Sequence, residues 1–345
     1  MTGSAPRDPI AAAAAWSRAG HRVALATVIE TAGSAPRLAG AQLAVRADGA
    51  FAGSVSGGCI EGAVVTEAQA VIARGAPKTM EFGISDAMAW EVGLACGGRL
   101  TLRIEPWTSP EKRSLLDRLE SARTAARPVV LASALDHDED AAALLFPEAG
   151  KAVFAGRDLS ETVREVLRRD RPRLVAVAGW RVFLNVFNPP LRLVIVGAVH
   201  IAQMLVPMAA ALGYAVSVVD PRTAFATAAR FPGVRLVHDW PDEYLKTERP
   251  DARTAVVTLT HDPKLDDAAL VEALGSNAFY IGSLGSRKTH RARIERLRAA
   301  GFGEAALARI HAPVGLAIGA ESPGEIALAI LAEITAVLRA DDERS

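Results

Sequence analysis

Cys59 and Cys96 are the only thiols in a chain of 345 residues, and both stand among glycines. Cys59 lies in "GSVSGGCIEG" (residues 53–62) and Cys96 in "GLACGG" (residues 93–98). A structural cysteine usually sits within an apolar run. Gly53, Gly57, Gly58 and Gly62 instead let the backbone turn tightly or leave room for something to reach the sulfur. Cys59 also falls where the Gly57-Gly58 turn meets a predicted helix, whose dipole favours a thiolate. Both cysteines are therefore candidate reactive thiols. Glu61, two residues on, reads either as a proton carrier or as an ordinary first-turn helix acid. No C-x-x-C and no paired His spacing is present, which argues against zinc.

A second group of residues is suited to anions. "VIVGAVHIAQML", with Asp220 closing the next strand, follows the dinucleotide fingerprint at Gly197, Ala202 and the acid. The middle glycine is replaced by Val199, which crowds the place where a pyrophosphate approaches the backbone. The loop still offers a helix N-terminus to an anion, and a bare fold-determining turn is the alternative. "YIGSLGSRKTH" places Gly282, Ser283, Gly285 and Ser286 before Arg287, Lys288 and His290, a setting for phosphate or carboxylate capture or for a solvated first turn. "TLTHD" ends a neighbouring strand with His261. In an open parallel sheet these loops share the edge at the strands' carboxyl ends, where His200 and His261 are expected to face one crevice.

The elements that must position these residues divide near "VFNPPLRLVIVG". Downstream, unalternated strands "LRLVIVG", "YAVSVVD", "VRLVH", "TAVVTLT" and "AFYIGS" alternate with helices, which predicts a parallel sheet covered on both faces. The final helix opens at "SPGE", with Ser322 as N-cap, Pro323 first and Glu325 closing a capping box. Upstream, strands "RVALATVIE", "AQLAVRADG", "AFAGSVS", "KTMEFGI", "GRLTLRIEP", "RPVVLASAL", "KAVFAG" and "RLVAVAGWRVFLNVF" mix with helices over "CIEGAVVTEAQAVIARG" and "SPEKRSLLDRLESARTAAR". "DHDEDAAA" reads as a solvated acidic turn. The fold class is α/β: an N-terminal mixed α+β domain over 1–188, carrying both cysteines, followed by a Rossmann-like domain over 191–345 with a parallel sheet.

Charge excludes some partners. Lys plus Arg and Asp plus Glu number 39 each, so there is no basic footprint for nucleic acid or an anionic membrane. Two cysteines suit a reducing compartment, and the N-terminal Ala run reads as an opening helix, not a signal peptide. The uncharged run Leu193–Val219 is interrupted by Gly197, His200, Gln203, Pro207 and Gly213, so it reads as strand–helix–strand and not as a membrane span. The expected location is cytoplasmic.

With these motifs in view, the chain resembles the xanthine dehydrogenase accessory protein family, XdhC/CoxI. "ETAGSAPRLAGAQLAV", "GSVSGGCIEGAV" and "GLACGG" resemble its N-terminal domain. "VIVGAVHIA", "VVDPR", "THD", "YIGSLGSRKTH" and "GLAIGAESPGEIALAILAEI" resemble its Rossmann domain, in order, from about Val23 to about Val337. The resemblance implies an accessory factor more than a catalyst. It implies binding of the molybdenum cofactor (molybdopterin), help with its sulfuration by a cysteine desulfurase, and insertion into an apo-hydroxylase of the xanthine dehydrogenase or carbon monoxide dehydrogenase type. A homodimer is implied as well. Carried onto this sequence, the expected cofactor-binding set is Ser34, Arg37, Ser56, Gly57, Gly58, Cys59, Cys96, Gly197, His200, Asp220, His261, Gly282, Ser283 and Arg287, with Cys59 and Cys96 as candidate molybdenum contacts. The departure from the family pattern is Val199, where relatives carry a second Gly. No nucleotidyltransferase segment follows Ser345, so cytidylylation of the cofactor is not part of the expectation. Two other readings stay open: an NAD(P)-dependent oxidoreductase, motivated by the Rossmann half and Asp220, and a scaffold that docks a desulfurase to its enzyme.

Overall fold

The computed structural model describes residues 8–33, 37–58, 60–83, 98–136 and 141–340. They belong to two units, Met1–Pro189 and Pro190–Ser345, which meet at the Pro189-Pro190 pair.

In the first unit, helix α1 (Pro9–Arg18) starts on Asp8, whose carboxylate accepts from Ala11 N at 2.9 Å. Strand β1 (Val23–Ala32) is the centre of a five-stranded antiparallel sheet. It is flanked by β2 (Gln42–Arg46) and β3 (Phe51–Gly53) on one side. On the other side lie β5 (Arg99–Pro106) and then β4 (Lys78–Phe82). The first seven residues of β1 are all buried because both faces are covered. Ala24, Ala26 and Val28 pack with Val64, Ala68 and Val71 of α2 (Glu61–Arg74). Val23 and Leu25 point the other way, toward α1, Trp107 and helix α3 (Pro110–Thr124).

A second antiparallel sheet follows, with order β10-β11-β6-β7. Its strands are β6 (Val129–Ala134), β7 (Ala142–Leu145), β10 (Arg173–Val177) and β11 (Trp180–Phe187). A small hairpin joins β8 (Val153–Phe154) to β9 (Arg157–Asp158). Helix α4 (Ser160–Arg169) sets Val163, Val166 and Leu167 against Val130, Ala132 and Leu184.

Three readings of this half need correction. "RLVAVAGWRVFLNVF" is two strands, not one, because Ala178 and Gly179 take φ of 52° and 86°, the left-handed pair that closes a tight hairpin. "KAVFAG" is the first arm of the β8–β9 hairpin, turned at Ala155 and Gly156. Helix α4 was not anticipated, although Val163, Val166 and Leu167 fall at helical spacing. Residues 137–140 of the acidic turn lie outside the described residues, and the alanines after them enter β7.

The second unit is a six-stranded parallel sheet of order β14-β13-β12-β15-β16-β17. Strand β12 (Arg192–Val196) pairs with β13 (Ala215–Val219) and β15 (Thr254–Thr258). The edges are completed by β14 (Arg235–Val237), β16 (Tyr280–Ser283) and β17 (Ile310–His311). Alternate residues of β12 feed two cores. Leu193 and Ile195 meet α5 (His200–Ala211) and α10 (Pro323–Arg339). Val194 and Val196 meet α6 (Pro241–Thr247), α7 (Pro263–Leu274) and α8 (Arg287–Ala299). A short α9 (Glu304–Leu307) precedes β17.

The capping box at Ser322 and Glu325 is present as expected. Helix α5 carries Pro207 inside it. Among the described residues no helix is long and apolar enough to cross a membrane.

Candidate functional site

One side chain organises the glycine loop between β3 and α2. Glu61, the first residue of α2, turns its carboxylate back over the residues before it. Its Oε1 accepts from Ser54 Oγ (2.7 Å), Ser56 N (3.0 Å) and Val55 N (3.2 Å). Its Oε2 accepts from Ser56 Oγ (2.5 Å) and Gly58 N (2.9 Å). Gly57 N donates to Ser54 Oγ at 2.9 Å and Ile60 N to Ser56 Oγ at 3.1 Å. Burial pushes the Glu61 pKa up, but the Ser56 and Ser54 hydroxyls and the Ser56 amide outweigh it and hold the group at about 2.

A carboxylate this acidic has no proton to give near neutral pH. The proton-carrier reading of Glu61 is therefore corrected: it is the loop's internal anion and a first-turn acid of α2. The same geometry changes the roles expected of Ser56, Gly57 and Gly58. Their amide hydrogens are spent inside the loop, so what Gly57 and Gly58 offer a ligand is an exposed backbone face free of side chains. Gly57 and Gly58 take φ of 83° and 122°, and nothing lies within 4 Å of where a Cβ would stand on either. They are glycine for the turn, not for packing. Arg37 is exposed, next to a Leu38 that is 79% exposed. Ser34, Cys59 and Cys96 lie outside the described residues. Among the described residues no group of three or more His, Cys, Asp or Glu could hold a metal ion.

In the second unit the loops after β12, β13, β15 and β16 share one edge of the sheet and are stitched together. Gly197 (φ 109°) lies so close to Thr260 that an added Cβ would come within 2.5 Å of its Cγ2. Ala198 N donates to Asp220 Oδ2 at 2.8 Å, tying the β12 loop to the end of β13. Thr258 and Ser283 hydroxyls meet at 2.5 Å across β15 and β16. Beneath them Asp266 and Arg293, 1% and 2% exposed, face each other at 3.6 Å. Thr260 Oγ1 donates to Asp266 at 2.6 Å and Arg293 Nη2 donates to Leu284 O at 3.0 Å. Burial pushes the Asp266 pKa up, opposed by the Thr260 bonds and Arg293, and it pushes that of Arg293 down.

This framework separates the predicted site residues into two groups. Asp220 is fully buried, and its oxygens are taken by Ala198 N and by Arg222 at 2.7, 2.9 and 3.0 Å. Burial pushes its pKa up, and the Arg222 and Ala198 hydrogen bonds outweigh that and lower it. A ribose hydroxyl would have to displace Arg222, so Asp220 braces the glycine loop. Ser283 is also fully buried, and Gly282 is packed where a Cβ would meet Val314 and Tyr280, which gives both an internal role.

His200, His261 and Arg287 are exposed at the edge, His261 with φ 62°. Val199, the N-cap of α5, offers no side-chain cap, so the amides of the helix's first turn remain for an anion. By contrast α7 and α8 are capped by Asp262 (to Lys264 N, 3.0 Å) and Ser286 (to Thr289 N, 3.2 Å). An anionic phosphate therefore fits α5 better than the "GSRKTH" turn, and exposed His200, His261 and Arg287 supply further donors at the same edge.

Sequence reasoning missed Arg222, Arg230 and the Asp266–Arg293 pair. Arg230 Nη1 donates to Ala198 O at 2.9 Å, and both arginine planes lie over Phe225, at 4.6 Å for Arg222 and 5.7 Å for Arg230. Only Arg222 carried a local signal, two residues after the fingerprint acid in "VVDPR".

Comparison with known proteins agrees with the fold and the motifs. Residues 16–83 match the XdhC and CoxI family and residues 193–334 match the XdhC Rossmann domain. The chain is 30% identical over 330 residues to the molybdenum cofactor insertion chaperone PaoD of Escherichia coli (strain K12), covering 94% of this chain and 86% of that one. It is 29% identical to a probable xanthine dehydrogenase subunit from Bacillus subtilis (strain 168), covering 90% and 91%. A crystal structure described as a xanthine dehydrogenase from Bacillus halodurans superposes with a TM-score of 0.76 at 25% identity, covering 96% of each chain.

Proposed function

This chain belongs to the XdhC and CoxI family, and from that premise we propose that it is a molybdenum cofactor insertion chaperone. In this reading it binds the cofactor and delivers it to the apo form of a xanthine dehydrogenase-type hydroxylase. It also assists the cofactor's sulfuration with a cysteine desulfurase, and it acts in the cytoplasm as a homodimer. The observation that carries the proposal is similarity along nearly the whole length of a relative named for that activity, with both halves matched.

The geometry suits the cargo. A molybdopterin is an anionic phosphate joined to a soft metal dithiolene. The uncapped first turn of α5, with His200 and Arg287 exposed at the same edge, suits the phosphate. Cys59 follows an exposed Gly57-Gly58 backbone that Glu61 holds in place, and a thiol is the ligand type a soft metal or a transferred sulfur prefers. Asp220 counts against the oxidoreductase reading, because Arg222 already occupies the place of a ribose hydroxyl.

The test is copurification. Coexpressed with an apo-hydroxylase and a cofactor-synthesising host, the chain should retain a molybdopterin and raise loading of the enzyme. A chain that retains no pterin and changes no loading sinks the chaperone reading. If Cys59→Ser and Cys96→Ser both leave loading and sulfuration unchanged, the thiols are not part of the delivery.

A further inference from the structure

The carboxyl edge of the parallel sheet rests on a buried ion pair that does little for itself. Asp266 of α7 and Arg293 of α8 are 1% and 2% exposed. Asp266 Oδ2 and Arg293 Nη2 stand 3.6 Å apart, too far for a hydrogen bond. Arg293 Nε faces Asp267 Oδ1 only at 3.8 Å. Asp266 Oδ2, Arg293 Nε and Arg293 Nη1 have no hydrogen-bond partner among the described residues. Two buried charges so poorly engaged return little against their desolvation.

What each group does engage is a loop. Asp266 Oδ1 accepts from Thr260 Oγ1 at 2.6 Å and from Thr260 N at 3.3 Å. The same Thr260 hydroxyl accepts from Asp262 N at 3.1 Å. His261, between them, is held left-handed at φ 62°, a conformation that costs a non-glycine residue energy and that the bonds on either side enforce. Arg293 Nη2 donates to Leu284 O at 3.0 Å, in the loop that leads to Arg287. Thr260 is also pressed against Gly197, where a Cβ would stand 2.5 Å from Thr260 Cγ2 and 3.4 Å from Thr260 N. Gly197 opens the loop that ends at Val199, the uncapped start of α5. One ion pair therefore ties together the three loops at which His200, His261 and Arg287 stand.

The charge of Asp266 works against an anion at this edge. The Arg222 pKa is raised by hydrogen bonds to Asp220, and the charges of Asp262 and Asp266 raise it further. Asp266 is thus felt at the loops above it. A negative charge beneath an anion site repels the anion, so an acid there helps only through geometry.

We infer, on the reading that the cofactor's phosphate lies at α5, that Asp266 is a positioning residue for that phosphate. Through Thr260 it fixes the loop after β15 against Gly197, and so sets His261 and the first turn of α5 for one anionic group. The probe is inorganic sulfate, a divalent stand-in for the phosphate, titrated into the full chain by calorimetry at neutral pH and low ionic strength. Asp266→Asn removes the repelling charge yet should weaken sulfate binding about tenfold, the worth of one hydrogen bond to a charged group. Thr260→Val, which keeps the Asp266–Arg293 pair, should weaken it by a similar factor even where Asp266→Asn does not fold. The double variant should bind no more weakly than either single one, since both break the same contact. Thr260→Ser, which keeps the hydroxyl, should bind as wild type does. Unchanged or tighter sulfate binding by folded Asp266→Asn, or equal losses in Thr260→Val and Thr260→Ser, overturns the inference and leaves the α5 reading standing. A wild type that binds no sulfate overturns both.

Discussion

Glu61 shows how one residue can fix a loop that a run of glycines would otherwise leave loose. Five donors converge on its carboxylate, two hydroxyls and three amides. Hydrogen bonds to a charged acceptor are each stronger than neutral ones, and donors left unmet in the interior cost more than the bond itself. Glu61→Gln keeps the shape, removes the charge and turns an amide NH₂ toward the donors. It should destabilise the first unit by about 2 kcal/mol or more at pH 7, measured by urea unfolding. The pH dependence has a definite sign. With a folded pKa of about 2, below the unfolded glutamate value near ~4.3, the stabilisation is full above the unfolded pKa. It is lost as pH falls through the folded pKa. Wild type should therefore lose its advantage over Glu61→Gln between about pH 4.3 and pH 2, and a gap that stays constant across that window would show that the charge is not what the loop uses.

The elements at the carboxyl edge of the parallel sheet depend on close approaches of that kind between loops. Gly197 is left-handed at φ 109° and would place a Cβ 2.5 Å from Thr260 Cγ2. Gly197→Ala should cost the second unit about 2–3 kcal/mol, from backbone strain and the clash together. Adding Thr260→Ser removes the methyl yet keeps the hydroxyl bonded to Asp266, so the double variant should recover the clash portion only; full recovery would deny any part to backbone strain. This seam also marks the limit of what the sequence could disclose. The parallel sheet was legible because strands covered on both faces read as unbroken apolar runs, and the Ser322 capping box because its signal is local. The tie between Ala198 and Asp220 was half legible: the fingerprint placed the acid, and only the fold showed that Arg222 already holds it. The Asp266–Arg293 pair brings together residues far apart in sequence, which no spacing rule encodes. Glu61 was legible in position and ambiguous in role, because a first-turn acid and a proton carrier look alike until the donors around them are placed.

At the scale of the whole chain, each of the two units has hydrophobic clusters of its own among the described residues. Two are built from residues 191–337 and the others from residues before 188. We therefore expect the two units to unfold separately, and α10 gives a way to test it. This last helix buries Ile330, Leu331 and Ile334 against the sheet and α5, each 4% exposed or less. Burying three such side chains is worth roughly 5–9 kcal/mol, comparable with the ~5–15 kcal/mol that holds a whole domain folded. A chain ending at residue 322 should thus lose the second unit, since the part of the sheet face and of α5 that α10 covers would stand in water. The first unit, with hydrophobic clusters of its own, should keep its cooperative transition and its melting temperature within about 2 °C. Calorimetry of the full and shortened chains separates the outcomes. Survival of both transitions would mean that α10 is dispensable to the sheet, whereas loss of both would mean that the first unit leans on the second.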